Sequence, residues 1–172
     1  MKRIQFLFLL LSMILLNGCL STSDSKASIQ VPESPINEVI EDINIYNEFL
    51  MKSNPKEQKY ISSYKKYGDL YDSHDEKAAY EVIVKEVIPQ YDVLINDVVN
   101  YIPKTKELKR IHAIYVTASY KQYATFYLIK GSIEKNESKL MADSLLLLGE
   151  ATKEVLQYRE EYNDLIKKYS KK

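Results

Sequence analysis

The 172-residue chain has no tryptophan, one cysteine, four glycines and five prolines, and its 24 basic side chains are matched by 24 acidic ones. Each scarcity excludes something. A lone cysteine, Cys19, rules out an internal disulfide framework and a thiolate-rich metal site. From Ser34 onward, scarce glycine with no hairpin dipeptide argues against strands joined by tight turns. Balanced charge gives no reason to expect a nucleic-acid partner or strong attraction to anionic lipid. Only the tail, Lys167, Lys168, Lys171 and Lys172, is locally basic. Cations there suit the negative end of a helix dipole, with a lipid-headgroup contact as the alternative. There are two histidines, His74 and His112, and neither follows a glutamate at the spacing of a di-iron bundle. No nucleophile elbow, phosphate loop, His-Glu-x-x-His or dinucleotide fingerprint occurs. The reading is therefore of a chain with no catalytic residues and no metal site.

What is present begins at the N-terminus. Met1-Lys2-Arg3 precedes an apolar run from Ile4 to Leu16, and Asn17-Gly18-Cys19 follows. A basic start, a short apolar stretch and a small residue before a cut site describe a secretory signal, and the run is shorter than the roughly 20 residues a spanning helix needs. Leu16-Asn17-Gly18-Cys19 resembles the lipobox of bacterial lipoprotein precursors. Asn17 departs from the small residue usual before Gly-Cys. The resemblance covers only about the first twenty residues. It implies that residues 1–18 are removed and that Cys19 carries a covalent diacylglycerol, the sole attached group expected. It places the mature chain on the extracytoplasmic face of a bacterial cell membrane, or on the outer membrane where the cell has two. Two acyl chains hold a protein stably where one holds it marginally. Residues 19–33 are Ser-rich and unpatterned and read as a flexible tether, with an end-to-end distance of roughly 20 Å.

Residues 34–172 read as one all-α domain, an antiparallel bundle of about five helices. Ser34-Pro35 starts a helix to about residue 51. Asn54-Pro55-Lys56-Glu57 has the form of a capping box and starts a second helix to about 71. Ser73-His74-Asp75-Glu76 starts a third, reaching about 101, with a kink expected at Pro89. The fourth covers about 105–134 and the fifth about 138–170. In the last, Met141, Leu145, Leu148, Thr152, Val155, Arg159, Tyr162, Ile166 and Tyr169 step by four and three, as a bundle seam does.

Tyrosine is the abundant residue, 15 in all. Tyr60, Tyr64, Tyr67 and Tyr71 form a stripe that reads as a core face or as an aromatic platform for a ligand. On the fourth helix, Leu108, Ile111, Tyr115, Phe126, Ile129 and Ile133 make one face with Gln122. His112, Val116, Tyr120, Tyr123 and Tyr127 make an adjacent one, either a second packing face or a binding surface. Arg159 must pair or snorkel, with Asp92 or Asp97 as expected acids, or meet a ligand carboxylate. Two functions stay open. One is a non-catalytic module that docks a cell-envelope protein through Tyr120, Tyr123 and Tyr127, self-association being possible through the last helix. The other is a bundle holding an apolar or glycan ligand between the Tyr60–Tyr71 stripe, His112 and Arg159.

Overall fold

Four helices carry the described residues, 35–170, of the computed structural model. Helix α1 spans Pro35–Asp72. Helix α2 comprises Glu76–Val82, a π-turn at Ile83–Val87, and Ile88–Asn100. Helix α3 spans Lys106–Lys135 and α4 spans Ser138–Ser170. No strand occurs among the described residues, and none of their helices is long and apolar enough to cross a membrane. The leader 1–18, the lipobox Cys19 and the tether to residue 33 lie outside the described residues.

The all-α expectation holds, but the helices number four and not five, because 35–51 and 54–71 are one helix. Pro55 lies inside α1 and cannot donate to the carbonyl of Met51. Both residues are exposed, Met51 by 67%, so that carbonyl faces water. Meanwhile Val39, Ile43, Tyr46, Ser53, Tyr60 and Tyr67 are buried on one stripe that runs through the proline without a break. Burial on both sides of Pro55 outweighs the roughly 3 kcal/mol that an interior proline costs. Asn54 accordingly caps nothing; its side chain accepts from Gln58 one turn on.

The next two starts also shift. Ser73 closes α1, donating to the Leu70 carbonyl at 2.8 Å, and His74 adopts a left-handed conformation at φ 63°. Asp75 is the cap of α2, accepting from the Ala78 amide at 3.1 Å. The interruption expected at Pro89 falls just before it. There the Ile88 amide reaches back five residues to the Ile83 carbonyl. This wider turn absorbs the amide that Pro89 lacks.

Neighbouring helices run antiparallel, as their pairings show. Lys56 meets Asp97, Ser63 meets Gln90 and Lys66 meets Glu86, so α1 rises as α2 falls. Between α3 and α4, Arg110 meets Glu161 and Lys121 reaches Glu154 at 2.7 Å and Glu150 at 2.9 Å. Tyr162 on α4 donates to Asn47 of α1, which closes the ring of helices.

The α3–α4 pair packs through small residues: Ala118, Thr125 and Ser132 on one helix, Ser144 and Ala151 on the other, all buried. They recur every seven residues and let the two helices approach closely. That contact turns α4 by roughly 50° from the expected seam, taking 100° per residue. Leu145 is 48% exposed as a result, while Ser144, Ala151, Tyr158 and Leu165 face inward.

One buried carboxylate ties the first helix to the third. Asp42, 1% exposed, accepts from the Thr105 amide and hydroxyl, each at 2.7 Å, and from the Lys104 amide at 3.1 Å. A negative group at the positive end of α3 satisfies donors that helix starts otherwise leave open.

Candidate functional site

Tyrosines occupy two settings, a core spine and an outer face on α3. In the spine, Tyr46 from α1 donates to His112 Nδ1 at 2.9 Å, and His112 Nε2 lies 2.9 Å from the Val98 carbonyl. A carbonyl only accepts, so Nε2 carries a hydrogen, and in the neutral ring Nδ1 is then the acceptor of the Tyr46 hydroxyl. Burial lowers the pKa of His112 in accord with this. Phe49 and Tyr101 stack at 4.3 Å beside it, and Tyr115 stacks on Tyr158 at 4.8 Å. Further along, Tyr60 meets Tyr91 edge to face at 4.9 Å, and the Tyr91 hydroxyl donates to Ser119 O and Gln122 Oε1.

At the middle of this spine sits an ionisable group that the sequence pattern concealed. Burial pushes the Glu57 carboxyl up to about 7, the nearby positive charge of Arg159 acting in the opposite direction. Glu57, Tyr60, Tyr91, Tyr115, Gln122 and Tyr158 border a cavity of about 20 Å³. That volume has room for a water molecule. Asp97 is engaged by Lys56, and the positive charge of Arg159 acts on Glu57 of α1. Glu57 had the place of a capping residue in the sequence. Extending the Tyr60–Tyr64–Tyr67 stripe back by three would have put it on the inner face.

On the outer face, Ala113, Thr117, Tyr120, Ala124 and Tyr127 are all exposed and follow one another by four, three, four and three. This solvent-facing stripe has no charge over four turns. Tyr120 is 52% exposed and Tyr127 44%. Tyr123 is half-buried beside them; its hydroxyl lies 3.1 Å from that of Tyr127, with the ring centroids 4.9 Å apart. The hydrogen bond with Tyr127 and the negative charge of Asp92 on α2 both raise the pKa of Tyr123, which stays protonated. Comparison with protein-family models, curated protein sequences and solved structures returns no match.

The residues singled out in the sequence are thus divided. Tyr60 and Tyr67 are buried, and Tyr64 and Tyr71 pack partly buried against the same core. His112 shares the sequence face of Tyr120 and Tyr127 yet turns into the core, 4% exposed. Arg159 is half-buried near Glu57. Only Tyr120, Tyr123 and Tyr127 come together at the surface. Among the described residues no three His, Cys, Asp or Glu side chains gather as metal ligands would. Asp42 also went unnoticed in the sequence, since its partners lie more than sixty positions away.

Proposed function

We propose that this chain is a non-catalytic, lipid-anchored helical module on the extracytoplasmic face of a bacterial membrane, held by Cys19, that docks a protein partner through the outer face of α3. The uncharged stripe Ala113–Thr117–Tyr120–Ala124–Tyr127 carries this reading. Exposed tyrosines flanked by small side chains offer large, stiff contact area with a hydroxyl that tolerates water, the composition favoured in protein interfaces. Their neighbours leave room for a partner's side chains to reach the rings. The cavity bordered by Glu57, Tyr60 and Tyr158, of about 20 Å³, is far below the roughly 300–1,000 Å³ of a small-molecule site, which favours surface docking over an apolar or glycan ligand enclosed there.

The test is a cross-linking pull-down from intact membranes with wild type and with Tyr120→Ala/Tyr127→Ala. Both side chains are exposed, so the variant is expected to fold with a stability loss below about 1 kcal/mol. A partner captured by wild type and lost from the variant is the expected result. Equal capture by both would overturn the assignment of this face.

A further inference from the structure

Helix α4 turns Ser144, Ala151 and Tyr158 inward and three leucines outward. Leu145, Leu146 and Leu156 are exposed, Leu146 by 71%. With Ala142 and Gly149 they lie within about 100° of the helix circumference, at 100° per residue. The stretch from Leu140 to Gly149 holds one charge, Asp143. An exposed apolar band of this kind marks a contact surface. Gly149 gives a second sign. A glycine inside a helix costs about 1 kcal/mol relative to alanine. A Cβ at this position would meet nothing within 4 Å among the described residues. Nothing inside the chain therefore calls for the missing side chain, whereas a helix approaching closely from outside does. Ala142 stands seven residues before it, the interval at which Ser144 and Ala151 admit α3 on the inner side.

Charge selects the occupant. On the outer surface of α4 between residues 139 and 160 the charged side chains are Lys139, Lys153 and Glu160, all exposed. Asp143, Glu150 and Glu154 lie on the flank toward α3, where the last two hold Lys121, and Arg159 lies toward Glu57. A second α4 laid antiparallel, with residues 149 and 150 at the centre, brings Lys139 of each copy opposite Glu160 of the other. Residue 139 stands as far before that centre as 160 stands after it. In the same register Ala142 faces Gln157, and Leu146 faces Lys153, whose aliphatic stem can lie along it. A parallel pair would instead set Lys139, Lys153 and Glu160 each against its own copy, three like-charge contacts. Beyond the overlap, Lys135 and Glu137 of the turn and Asp164 and Lys167 near the helix end cancel in number. Exposed ion pairs are weak, so these fix direction and register while the leucines supply the attraction.

We infer that the outer face of α4 is the interface of an antiparallel homodimer, two copies of this chain meeting through Leu145, Leu146, Gly149 and Leu156. The contact is isologous, each copy giving the same patch. Over residues 139–160 the two helices overlap for about 30 Å. The inference needs neither the lipid anchor nor the tyrosine face to hold, and it is compatible with both. With the twofold axis along the membrane normal, the two chains reach the bilayer at one height, and anchoring raises their local concentration. The Tyr120–Tyr127 face belongs to α3 and stays open. A dimer therefore presents that face twice, and a partner with repeated sites is held more tightly than by one copy.

The test is cross-linking between two full-length chains made together in one bacterial cell and told apart by their tags. One carries Ala142→Cys and the other Gln157→Cys, and a short bifunctional maleimide joins thiols that lie close. The same chains without the added cysteines control for Cys19. In the antiparallel dimer positions 142 and 157 of different copies are neighbours, while each is about 20 Å from its own counterpart. The expected result is a 142–157 product at least about five-fold above the 142–142 and 157–157 products. Leu146→Asp in both chains should lower it about ten-fold with helical content unchanged, since it sets a charge in the leucine band. Lys139→Glu should weaken it, and adding Glu160→Lys should restore it; a loss that the second change leaves in place overturns the antiparallel register. Like-with-like products in excess show a parallel pair or chance collision and overturn the inference. So does the absence of any product, whether both cysteines react freely with a small maleimide, which shows an open face, or are shielded from it, which shows a different occupant.

Discussion

The tyrosines of the spine and those of the outer α3 face are the same residue in opposed roles, and the difference lies in what their hydroxyls meet. Inside, Tyr46 reaches a histidine nitrogen and Tyr91 a carbonyl and an amide, so these two rings fill space with their polar atoms satisfied, while the buried Tyr158 hydroxyl borders the small cavity. Outside, Tyr120 and Tyr127 are about half exposed, and the Tyr127 hydroxyl meets only that of Tyr123 beside it. A tyrosine count alone therefore says little about binding. Removing tyrosines from each set separates structural tyrosines from those free to act.

The widest contrast should come from truncation. Tyr60→Ala opens a hole against Tyr91 and Phe126 and is expected to cost about 3–5 kcal/mol, whereas Tyr127→Ala should stay within about 0.5 kcal/mol. Denaturant midpoints measure both, and similar losses would erase the division. Next is the pH response of the spine. Glu57 titrates near 7 when folded and near 4.5 when unfolded, so the folded state holds its proton longer. Stability from this group is full at pH 4.5 and below and falls by roughly 3 kcal/mol as pH rises to 7. His112, with its pKa lowered, acts in the other sense: its contribution is full above pH 6.5 and is lost as pH falls. Glu57→Gln should abolish the loss between pH 5 and 7 and leave the acid-side decline; an unchanged slope would show that Glu57 is not the group responsible. The smallest effect is a hydroxyl deletion. Tyr46→Phe leaves His112 Nδ1 without its donor and should cost about 1–2 kcal/mol, while Tyr120→Phe should cost almost nothing.

Much of the architecture was legible because local signals agreed with the fold. Asn136 ends α3 in the left-handed conformation expected of a turn at 136–138, and apolar spacing placed Leu108, Ile111, Phe126 and Ile129 in the core. What failed were positions where tertiary contact overrode a local signal. Pro55 reads as a helix start until the stripe running past it is buried as a unit. The rotation of α4 was hidden because leucines weigh more than serine and alanine in any hydrophobic pattern. The close approach of α3 is nevertheless made by Ser144 and Ala151. For the outer face, sequence placed Tyr120, Tyr123 and Tyr127 together with His112. The drift of roughly 80° over the eight residues from His112 to Tyr120 was enough to separate a core histidine from surface rings. Glu57 was misread because a capping motif and a buried acid look alike until Asn54 is seen not to cap.

The clasp at Asp42 also bears on the order in which the molecule is assembled. Its carboxylate sits near the beginning of the chain, and the amides it holds come 62 and 63 residues later. The α3–α4 hairpin needs only a short turn to form, but the first turn of α3 stays open until α1 returns across that long loop, the slow kind of contact in a helical protein. Proton exchange at the Lys104 and Thr105 amides therefore reports when the first helix has docked, and in the finished bundle how often it lets go.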